Sequence, residues 1–562
     1  MSKQWIMYCI VLFQLAISSI TSAAGNGVPI ICYHDVGKTA NNEYTITKDT
    51  LKNHLSYLKS NGYNPISLQQ YTAFTKDGVP LPDKPVMITF DDGYISFYNE
   101  VFPLLKEYNY PAMLAIVGSW MEYAPSDVGK LVSWQQLREM DSSGLVSIAS
   151  HSFRSHRFIP MNVQDDRGEL LSTRIYNNGR FETEDEFKQR VADDLRQAQQ
   201  QFEKELGHKA SALVWPYGEY NLIAIDIARE MGFEATFTLG GGINRTGSEG
   251  LLEARRGIIM NNPSTSLLAS FLKGGGLEDK PMRAAYLDID SIYDPNSLRQ
   301  TNNNLNLALN RFYKNGTNTV FLQTFSDEKN ADNIPKAFFH TTAAPVKVDI
   351  FSHIASILRN NGFLVYAVMP SLLSQEFIKE DRAVQKRLID LYTDLGSYAY
   401  VDGVLFQDDL YTSGTEEFSP AAKEMQDLTV QLMKAVRTYR PYALFARTIY
   451  PEIVLDNKKQ EKYAQSYRSY LDTYDYTIIM TNPLNEKQNG DFAQRLGNLA
   501  QTALAEPGAA KKVVFKLNTF DVGRNVWIKD KELKEQIDAL RGKGAVNFTY
   551  SPEYTLEDKV IK

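Results

Sequence analysis

Short apolar runs alternate with stretches of helical periodicity along most of this chain, and this alternation restricts the fold more than any other feature. In the first half, stretches 48–61 and 96–107 have the spacing of amphipathic helices. Strands separated by helices pair in parallel, because a short hairpin does not connect them. The pattern predicts an α/β domain built around a largely parallel sheet of barrel type. The runs that predict its strands are residues 28–33, 86–90, 112–117, 146–149, 212–215 and 235–238.

The second half repeats the alternation more regularly. Its apolar runs are separated by amphipathic segments and occupy roughly 280 residues, which is the length of a (β/α)8 barrel. Three glycines and a proline between residues 273 and 283 indicate a linker. We therefore predict two domains, residues 25–272 and residues 284–562. The eight runs of the second are residues 284–289, 319–325, 364–369, 401–406, 444–449, 477–480, 513–517 and 545–550.

The first 24 residues have the pattern of a secretory signal peptide. Lys3 is their only charged residue, residues 5–17 are almost wholly apolar, and small residues stand at positions 22–24. Cys9 lies inside the apolar run, which argues against a lipid anchor at that position. Cys32 is then the only cysteine of the exported chain, so we expect a buried thiol without a disulfide partner.

Two adjacent aspartates and two histidines predict a metal site. Asp91 and Asp92 follow an apolar strand, and His151 and His156 come later in the chain. A catalytic metal typically takes three protein ligands, which we assign to Asp92, His151 and His156. Asp91 then remains free to take a proton from water, since successive side chains of a strand point in opposite directions. Each piece alone is commonplace, because Asp-Asp-Gly often forms only a turn and histidines five apart share no helical face.

Groups able to take part in catalysis follow four of the predicted strands. His34, the two aspartates, His151 and the segment 216–217 each come directly after an apolar run. In α/β barrels, catalytic residues gather at the carboxyl ends of the strands. We therefore expect these groups to meet at one end of the first domain and to perform metal-assisted hydrolysis. His54, on the polar side of a predicted helix, should lie outside this site.

Several of these segments resemble the polysaccharide deacetylases of the NodB-homology group, carbohydrate esterase family four. Residues 89–93, Thr-Phe-Asp-Asp-Gly, and the His-Ser pair at 151 followed by His156 match two of its motifs. The likeness is closer to one branch, the poly-β-1,6-N-acetylglucosamine N-deacetylases of biofilm matrix export. The features of that branch are the histidine spacing, residues 33–36 (Tyr-His-Asp-Val) and residues 215–218 (Trp-Pro-Tyr-Gly).

The resemblance implies roles for residues outside the metal site. It makes His34 the general acid, helped by Asp35, and makes the backbone N–H of Tyr217 a donor to the oxyanion. It also implies that Trp215 and Pro216 bind the substrate. The arginine that the family carries before the Pro-Tyr segment is absent here, which leaves open which residue orients the catalytic base.

The second domain carries its own candidate acids. Asp288 and Asp290 stand at the end of its first predicted strand, and Asp408 and Asp409 follow the fourth. Paired carboxylates in a barrel mouth can hydrolyse a glycosidic bond. The surrounding segments resemble the carboxy-terminal glycosidase-like domain of the same deacetylases, although Gln407 stands where a histidine is expected. Hydrolysis of the polymer and binding of the polymer therefore both remain open for this domain.

The resemblance implies partial N-deacetylation of poly-β-1,6-N-acetyl-D-glucosamine during biofilm matrix export from the periplasm. A peptidoglycan or chitin deacetylase and an O-acetyl esterase would share the metal chemistry, and a polymer-binding export scaffold is the alternative from another class. Two histidines and one carboxylate suit Zn, Ni, Co or Fe equally. The experiment that separates these alternatives is turnover on defined oligomers.

Charge and the resemblance together restrict the partners. The formal net charge is −7 and the chain has no basic run, so nucleic-acid binding is not expected. The expected partner is the exopolysaccharide substrate. The resemblance adds an outer-membrane export porin and an association with the outer membrane, and we expect the protein to be a monomer.

Overall fold

The computed structural model divides the chain into two compact units. The first contains residues up to Ile159, residues 168–172 and residues 182–279, and the second contains residues 160–167, 173–181 and all residues from 280. The division after residue 279 falls within the stretch predicted as a linker. Residues 160–167 and 173–181, which lie in the range predicted for the first domain, group with the second unit. The described residues are 27–245, 252–274, 280–329, 335–370, 382–407, 421–456, 466–481, 492–521 and 526–551.

The described part of the first unit contains a ten-stranded sheet that is mostly parallel. Its main strands are β1 Val28–Tyr33, β2 Pro85–Phe90, β3 Ala112–Ile116, β4 Val146–Ser150, β5 Ala212–Val214, β6 Ala235–Thr238, β7 Ala254–Arg255 and β8 Gly257–Ile258. Strands β1 to β7 pair with their neighbours in chain order, and β8 pairs in parallel with β1. Since β7 pairs with β6 and β8 pairs with β1, the segment 254–258 connects the two ends of the sheet in the barrel-type arrangement that the sequence predicted. Asn64–Pro65 and Ile243–Asn244 extend the sheet beside β2 and β1.

Helices connect these strands, and most begin at a capping residue. Thr47, Ser67, Ser133, Thr183 and Asn221 each accept a hydrogen bond from an amide of the first helical turn. The helices are α1 Lys48–Ser60, α2 Leu68–Asp77, α3 Phe102–Tyr108, α4 Trp134–Ser142, α5 Glu184–Leu206, α6 Leu222–Glu230 and α7 Thr265–Gly274. The predicted helix 96–107 is instead a π-helical turn, Phe97–Val101, followed by α3. α7 extends through Gly274, so it overlaps the first two residues of the stretch predicted as a linker.

The interior of the first unit is filled by large apolar side chains. Every residue of β1 and of β2 is buried, as in strands that are covered on both faces. Ile30, Met87, Met113, Val214 and Phe237 belong to one core cluster inside the sheet. This packed interior leaves the carboxyl ends of the strands as the place where polar groups can collect.

The second unit is a closed barrel of eight parallel strands, as the sequence predicted. The strands are β9 Arg283–Leu287, β10 Thr319–Gln323, β11 Leu364–Met369, β12 Gly403–Phe406, β13 Leu444–Ile449, β14 Tyr476–Met480, β15 Val513–Asn518 and β16 Asn547–Ser551. The last strand, β16, pairs with both β9 and β15 and so closes the barrel. Its main helices are α8 Leu298–Lys314, α9 Phe351–Asn360, α10 Arg382–Tyr398, α11 Ala421–Tyr439, α12 Tyr467–Thr473, α13 Phe492–Leu504 and α14 Asp530–Arg541.

Side chains fill the inside of this barrel, which is therefore a core and not a channel. Tyr286, Phe321, Tyr366 and Ile478 belong to the cluster that packs there. No helix in the described ranges is both long and apolar enough to cross a bilayer. Short elements fill the remaining connections: Asp35–Gly37, Thr45–Thr47, Trp120–Tyr123, Phe158–Pro160, Arg167–Glu169, Tyr176–Asn177, Arg180–Phe181, Pro216–Gly218, Ile289–Ile292, Phe325–Lys329, Pro335–Ala337, Pro451–Leu455, Ala509–Lys512, Phe520–Asp521 and Val526–Trp527.

Candidate metal centre

Asp92, His151 and His156 come together at the carboxyl ends of β2 and β4. The Nε2 atoms of His151 and His156 lie 3.7 Å and 3.6 Å from Oδ1 of Asp92. Ligands about 2.1 Å from a tetrahedral ion would be roughly 3.4 Å apart, so these separations suit one metal. Oδ1 of Asp92 is buried and accepts no hydrogen bond from the residues that the structure describes.

A left-handed turn aims the Asp92 carboxylate at the histidines. β2 ends at Phe90, and Asp92 and Gly93 both have a φ of 73°. Aspartate tolerates this region and glycine favours it, and a Cβ on Gly93 would lie 3.1 Å from Cγ2 of Ile116. The two carboxylates therefore diverge because the chain turns. Our explanation by strand alternation is wrong, since neither aspartate lies within the strand.

The histidines present neutral nitrogens to this carboxylate. Nδ1 of His151 lies 2.8 Å from the carbonyl oxygen of Val214, which can only accept, so Nδ1 carries the proton and Nε2 keeps its lone pair. Burial lowers the pKa of His151, and it lowers the pKa of His156 to about 3. A metal binds the neutral imidazole, so both side chains are in the required form.

The electrostatics of Asp92 also favour a cation. Burial raises the pKa of Asp92 to about 7, and the nearby charge of Asp91 contributes to this rise. A buried carboxylate beside a second one is unfavourable unless a positive charge compensates it, and a divalent ion provides that charge. The side chains present therefore fit a divalent metal.

Asp91 is held by a fully buried arginine. Nη1 and Nη2 of Arg256 lie 2.7 Å and 2.8 Å from the two carboxylate oxygens of Asp91. The guanidinium also donates to the carbonyl of Thr238 and to Oγ1 of Thr89, both at 3.2 Å. Arg256 already balances the charge of Asp91, whereas Asp92 has no such cationic partner among the described residues, so Asp92 is the better metal ligand of the two. The two aspartates thus have different partners: Asp91 pairs with Arg256, and Asp92 faces His151 and His156.

Arg256 keeps Asp91 ionised. Burial by itself would raise the pKa of Asp91, but the charge and hydrogen bonds of Arg256 outweigh burial and hold it well below the usual carboxyl range. Sequence reasoning missed this residue. The available signal was a pair of arginines between short apolar segments, which is unusual inside a strand-like stretch. Arg256 is the residue that orients Asp91, which the sequence had left open.

His34 lies beside Asp91 at the end of β1. A ring nitrogen of His34, Sγ of Cys32 and an Asp91 oxygen lie within 4.8 Å of one another. This second group is a poor ion site, because Arg256 already balances the charge of Asp91 and burial raises the pKa of the Cys32 thiol. Burial lowers the pKa of His34 to about 4, whereas the charge of Asp91 acts to raise it. Nδ1 of His34 has no hydrogen-bond partner in the described part of the chain.

The implied help from Asp35 to His34 is not what the structure contains. Oδ1 of Asp35 accepts from Oγ of Ser96 at 2.7 Å, and Oδ2 accepts from Oγ1 of Thr45 at 3.2 Å. Asp35 therefore fixes the chain after His34 and does not contact the imidazole. Cys32 is a free buried thiol, as expected, and burial raises its pKa.

Trp215 and Pro216 do not line the cleft as the resemblance implied. Both are buried, and the Trp215 ring stacks on Tyr220 with centroids 6.0 Å apart. They support Tyr217, whose φ of 60° is uncommon for a residue with a side chain. The Tyr217 ring lies 4.5 Å from His156 and 4.3 Å from the half-exposed Phe158, measured between centroids.

His54 lies outside the metal cluster, but its predicted position on a polar helix face is wrong. The side chain is fully buried, with Nδ1 3.0 Å from the hydroxyl of Tyr33 and Nε2 3.1 Å from the carbonyl of Pro263. A histidine whose two nitrogens are both bonded can occupy a core position. Its role is therefore structural.

Asp288 and Asp290, the two candidate acids of the second unit that the structure describes, have different surroundings. Asp290 accepts from Lys347 Nζ at 2.8 Å, from Ser326 Oγ at 2.9 Å and from the amide of Asp327 at 2.9 Å, so its carboxylate is engaged. Desolvation raises the pKa of Asp288, and the charge of Asp327 raises it further. Asp408 and Asp409 lie outside the described residues.

Two family models match parts of this chain. The family model described as polysaccharide deacetylase matches residues 78–236, which include both aspartates and both histidines of the metal centre. The chain belongs to the polysaccharide N-deacetylases. A second model, described as hypothetical glycosyl hydrolase family 13, matches residues 286–386 and 420–551 of this deacetylase. The family hydrolyses amide C–N bonds with a bound metal, which agrees with the geometry of the site.

Relatives cover both units of the deacetylase. The poly-β-1,6-N-acetyl-D-glucosamine N-deacetylase of Escherichia coli K12 is 29% identical over 95% of this chain and 90% of its own. A solved de-N-acetylase from Aggregatibacter actinomycetemcomitans is 30% identical, with a TM-score of 0.40, covering 44% of this chain and 100% of that one. The PgaB (BpsB) glycoside hydrolase domain from Bordetella bronchiseptica is 24% identical, with a TM-score of 0.42, covering 49% of this chain and 95% of that one.

Proposed function

We propose that this deacetylase removes acetyl groups from poly-β-1,6-N-acetyl-D-glucosamine and that its barrel binds the partly deacetylated product. The observation that carries the proposal is a triad of metal ligands beside an ion-paired aspartate. The Escherichia coli relative that is named for this activity aligns with 95% of this chain. Both units are covered by that relative, so the proposal applies to the whole chain.

The bond changes define what each side chain has to do. A C–O bond forms between water and the acetyl carbon, the C–N bond breaks, and acetate and a free amine result. Asp91, kept anionic by Arg256, takes the proton of the attacking water. His34 delivers a proton to the departing nitrogen; burial lowers the pKa of His34, and the charge of Asp91 opposes that shift. A divalent metal held by Asp92 and the two histidines would supply the Lewis acid.

Tyr217 is the proposed donor to the oxyanion. Its backbone N–H donates to no acceptor in the described ranges, and it belongs to a left-handed turn next to His156. A backbone amide that is already oriented stabilises developing charge without reorganising during the reaction. The buried pair Trp215 and Pro216 holds this turn in place.

Aromatic rings around His156 provide surfaces for sugar rings. Trp120 and Tyr217 approach it at 4.8 Å and 4.5 Å between centroids, and Phe158 continues the stack toward solvent. Phe158 is 46% exposed, so one part of the ring is open to a ligand. Apolar ring faces at the edge of a hydrolytic site suit a polysaccharide better than a small polar ester.

The barrel is proposed to bind the amine-bearing product. Deacetylation turns neutral residues into cations. The charges that act on Asp288 are those of two acids, Asp327 and Asp290, and of one base, Lys516. Opposite charge would draw the modified polymer to the barrel mouth. We further propose the periplasm as the location, from the apolar first 24 residues, with an outer-membrane export porin as partner and a monomeric state.

Turnover on defined oligomers tests the proposed substrate. We expect kcat/KM for the release of acetate to be at least about tenfold higher for β-1,6-linked N-acetylglucosamine oligomers than for β-1,4-linked ones. This ratio corresponds to a difference of about 1.4 kcal/mol in activation free energy. Faster reaction on chitin oligomers, peptidoglycan or O-acetyl xylan would replace the substrate that we propose. Binding of polymer without release of acetate would favour an export scaffold.

Polymer binding by the full-length protein tests the role of the barrel. In a background with His151→Ala, which stops deacetylation, we expect tighter binding of the partly deacetylated polymer than of the fully acetylated one. The preference should decrease as salt rises, since charges in an open cleft are screened over roughly 10 Å at 0.1 M salt.

Two substitutions in that background locate the charge responsible. Asp288→Asn should remove the preference, and Asp226→Asn on the surface of the first unit serves as the control. In the otherwise unaltered protein, Asp288→Asn should leave the release of acetate unchanged. Equal binding of both polymers at all salt concentrations would contradict the proposed role.

A further inference from the structure

The two histidine ligands lie on a loop whose shape needs an external support. Histidines five residues apart cannot share a helical face, so the segment 151–156 has to curl for both rings to reach Asp92. Ser152 has a φ of 71°, an uncommon conformation for a residue with a side chain. Such a conformation persists only where neighbouring groups hold it.

Asp194 provides contacts of this kind from the middle of α5. Its Oδ2 accepts from the amide of Phe153 and its Oδ1 accepts from the amide of Arg154, both at 3.0 Å. The hydroxyl of Ser155 also bonds to this carboxylate. In the described part of the chain, the hydrogen-bond partners of the Asp194 carboxylate are all in the loop of residues 151–156.

The position of Asp194 in the sequence gives it no other explanation. Its side chain is 4% exposed, although a charged residue in a helix normally faces solvent. The adjacent Asp193 follows that rule, since its side chain is 44% exposed and pairs with Arg196 and Gln189 on the helix surface. A buried carboxylate requires compensation, and here the loop amides provide it.

The loop is also fixed from its other side. The amide of Gly118 donates to the carbonyl of Ser152 at 3.0 Å, and the amide of Ser155 donates to Oγ of Ser152 at 3.1 Å. A Cβ on Gly118 would lie 2.8 Å from Cδ2 of Phe153, so the loop packs directly on the end of β3. The loop is therefore held between the Asp194 carboxylate on one side and the backbone at Gly118 on the other.

We propose that Asp194 is a positioning residue that holds residues 151–156 in the shape in which His151 and His156 face Asp92 together. It touches neither substrate nor metal and acts through the loop amides. This inference rests on the metal centre of the proposed function. Its measurable consequence is metal affinity, because a loop released from Asp194 would have to be ordered by the metal itself.

Direct metal binding to the full-length protein tests this assignment. Asp194→Asn keeps the shape of the side chain but places an NH2 group against a backbone N–H. We expect its affinity for Zn²⁺, measured by competition with a chelator, to fall roughly 10- to 100-fold, the range found when the residues that orient metal ligands are changed. The absorption spectrum of bound Co²⁺ should change as well, since it reports the ligand geometry.

Controls separate positioning from general stability. Asp193→Asn on the exposed face of α5 should bind Zn²⁺ like the unaltered protein. Loss of kcat at low metal should be recovered at saturating metal in Asp194→Asn, with KM for the polymer unchanged. Ser152→Ala loosens the same loop without changing α5 and should weaken binding to a smaller extent, which keeps the test valid if Asp194→Asn does not fold.

Specific outcomes would overturn the inference. Unchanged Zn²⁺ affinity and an unchanged Co²⁺ spectrum in Asp194→Asn, together with a lower Tm, would reduce Asp194 to a packing residue. Unchanged affinity in Ser152→Ala as well would show that loop shape does not govern metal binding. Failure of the proposed function would look different, since the unaltered protein would bind metal and release no acetate from the β-1,6 polymer.

Discussion

Replacing Asp91 with asparagine should leave metal in the protein and stop the reaction. The substitution removes the base but none of the three ligands, so kcat should fall roughly 10²- to 10⁴-fold, the usual contribution of a general base. Metal content, measured by elemental analysis after dialysis, should stay near one ion per chain. Asparagine can still accept one hydrogen bond from Arg256, so the site should keep its shape.

The matched comparison is the adjacent aspartate. Asp92→Asn weakens a ligand, and Asp92→Ala removes it, so both should lose metal together with activity. Added metal should restore part of the activity of Asp92→Asn and none of the activity of Asp91→Asn. If Asp91→Asn lost metal as completely as Asp92→Ala, the two aspartates would have exchanged roles.

Removing Arg256 should damage both activity and stability. In Arg256→Met the carboxylate of Asp91 stays buried without its partner, and breaking such a buried pair typically costs about 3–5 kcal/mol of unfolding free energy. Arg256→Lys keeps the charge but not the two parallel hydrogen bonds, so it should recover part of the loss. The neighbouring Arg255 is exposed, and Arg255→Met should have little effect.

The pH–rate profile gives a second readout for Arg256. Burial raises the pKa of Asp91 and Arg256 lowers it, so the pKa rises when the arginine is removed. The base must be ionised to act. The acidic limb of the profile of Arg256→Met should therefore move to higher pH, with partial recovery as the pH increases. In the unaltered protein the pair stabilises the fold above the normal carboxyl pKa, and this contribution is lost as the pH falls toward the pKa of Asp91. A profile that did not move would mean that Arg256 is only structural.

Comparison of the predicted and observed strands shows how far local pattern carries the fold. The apolar runs at 28–33, 235–238 and 364–369 are strands with the same bounds. Buried strands between amphipathic helices are easily predicted from sequence, because both must place apolar side chains in the core and so give clear apolar patterns. The helix predicted over 96–107 contains a π-helical turn at Phe97–Val101, and nothing in its apolar spacing signals that change.

The burial of single polar side chains was the least predictable property. His54 was predicted on a polar helix face, but it is buried on the same face as Leu51 and Leu58, where the hydroxyl of Tyr33 and the carbonyl of Pro263 are its partners. Trp215 belongs to a segment next to the site and still points into the core. Burial of this kind depends on partners that are distant along the chain, and periodicity contains no information about them.

The sequence by itself determined which residues carry the chemistry of this protein. The types and order of Asp91, Asp92, His151 and His156 specify a metal hydrolase, because few other combinations supply three ligands and a base at strand ends. Only the tertiary structure decided how those residues are held. Arg256 lies between β7 and β8 and balances the buried charge of Asp91, and Asp194 lies in α5 and orders the loop of residues 151–156; both act on groups far away in sequence. Such pairings result from the closing of the sheet and the docking of a helix, so they exist only once the chain has folded.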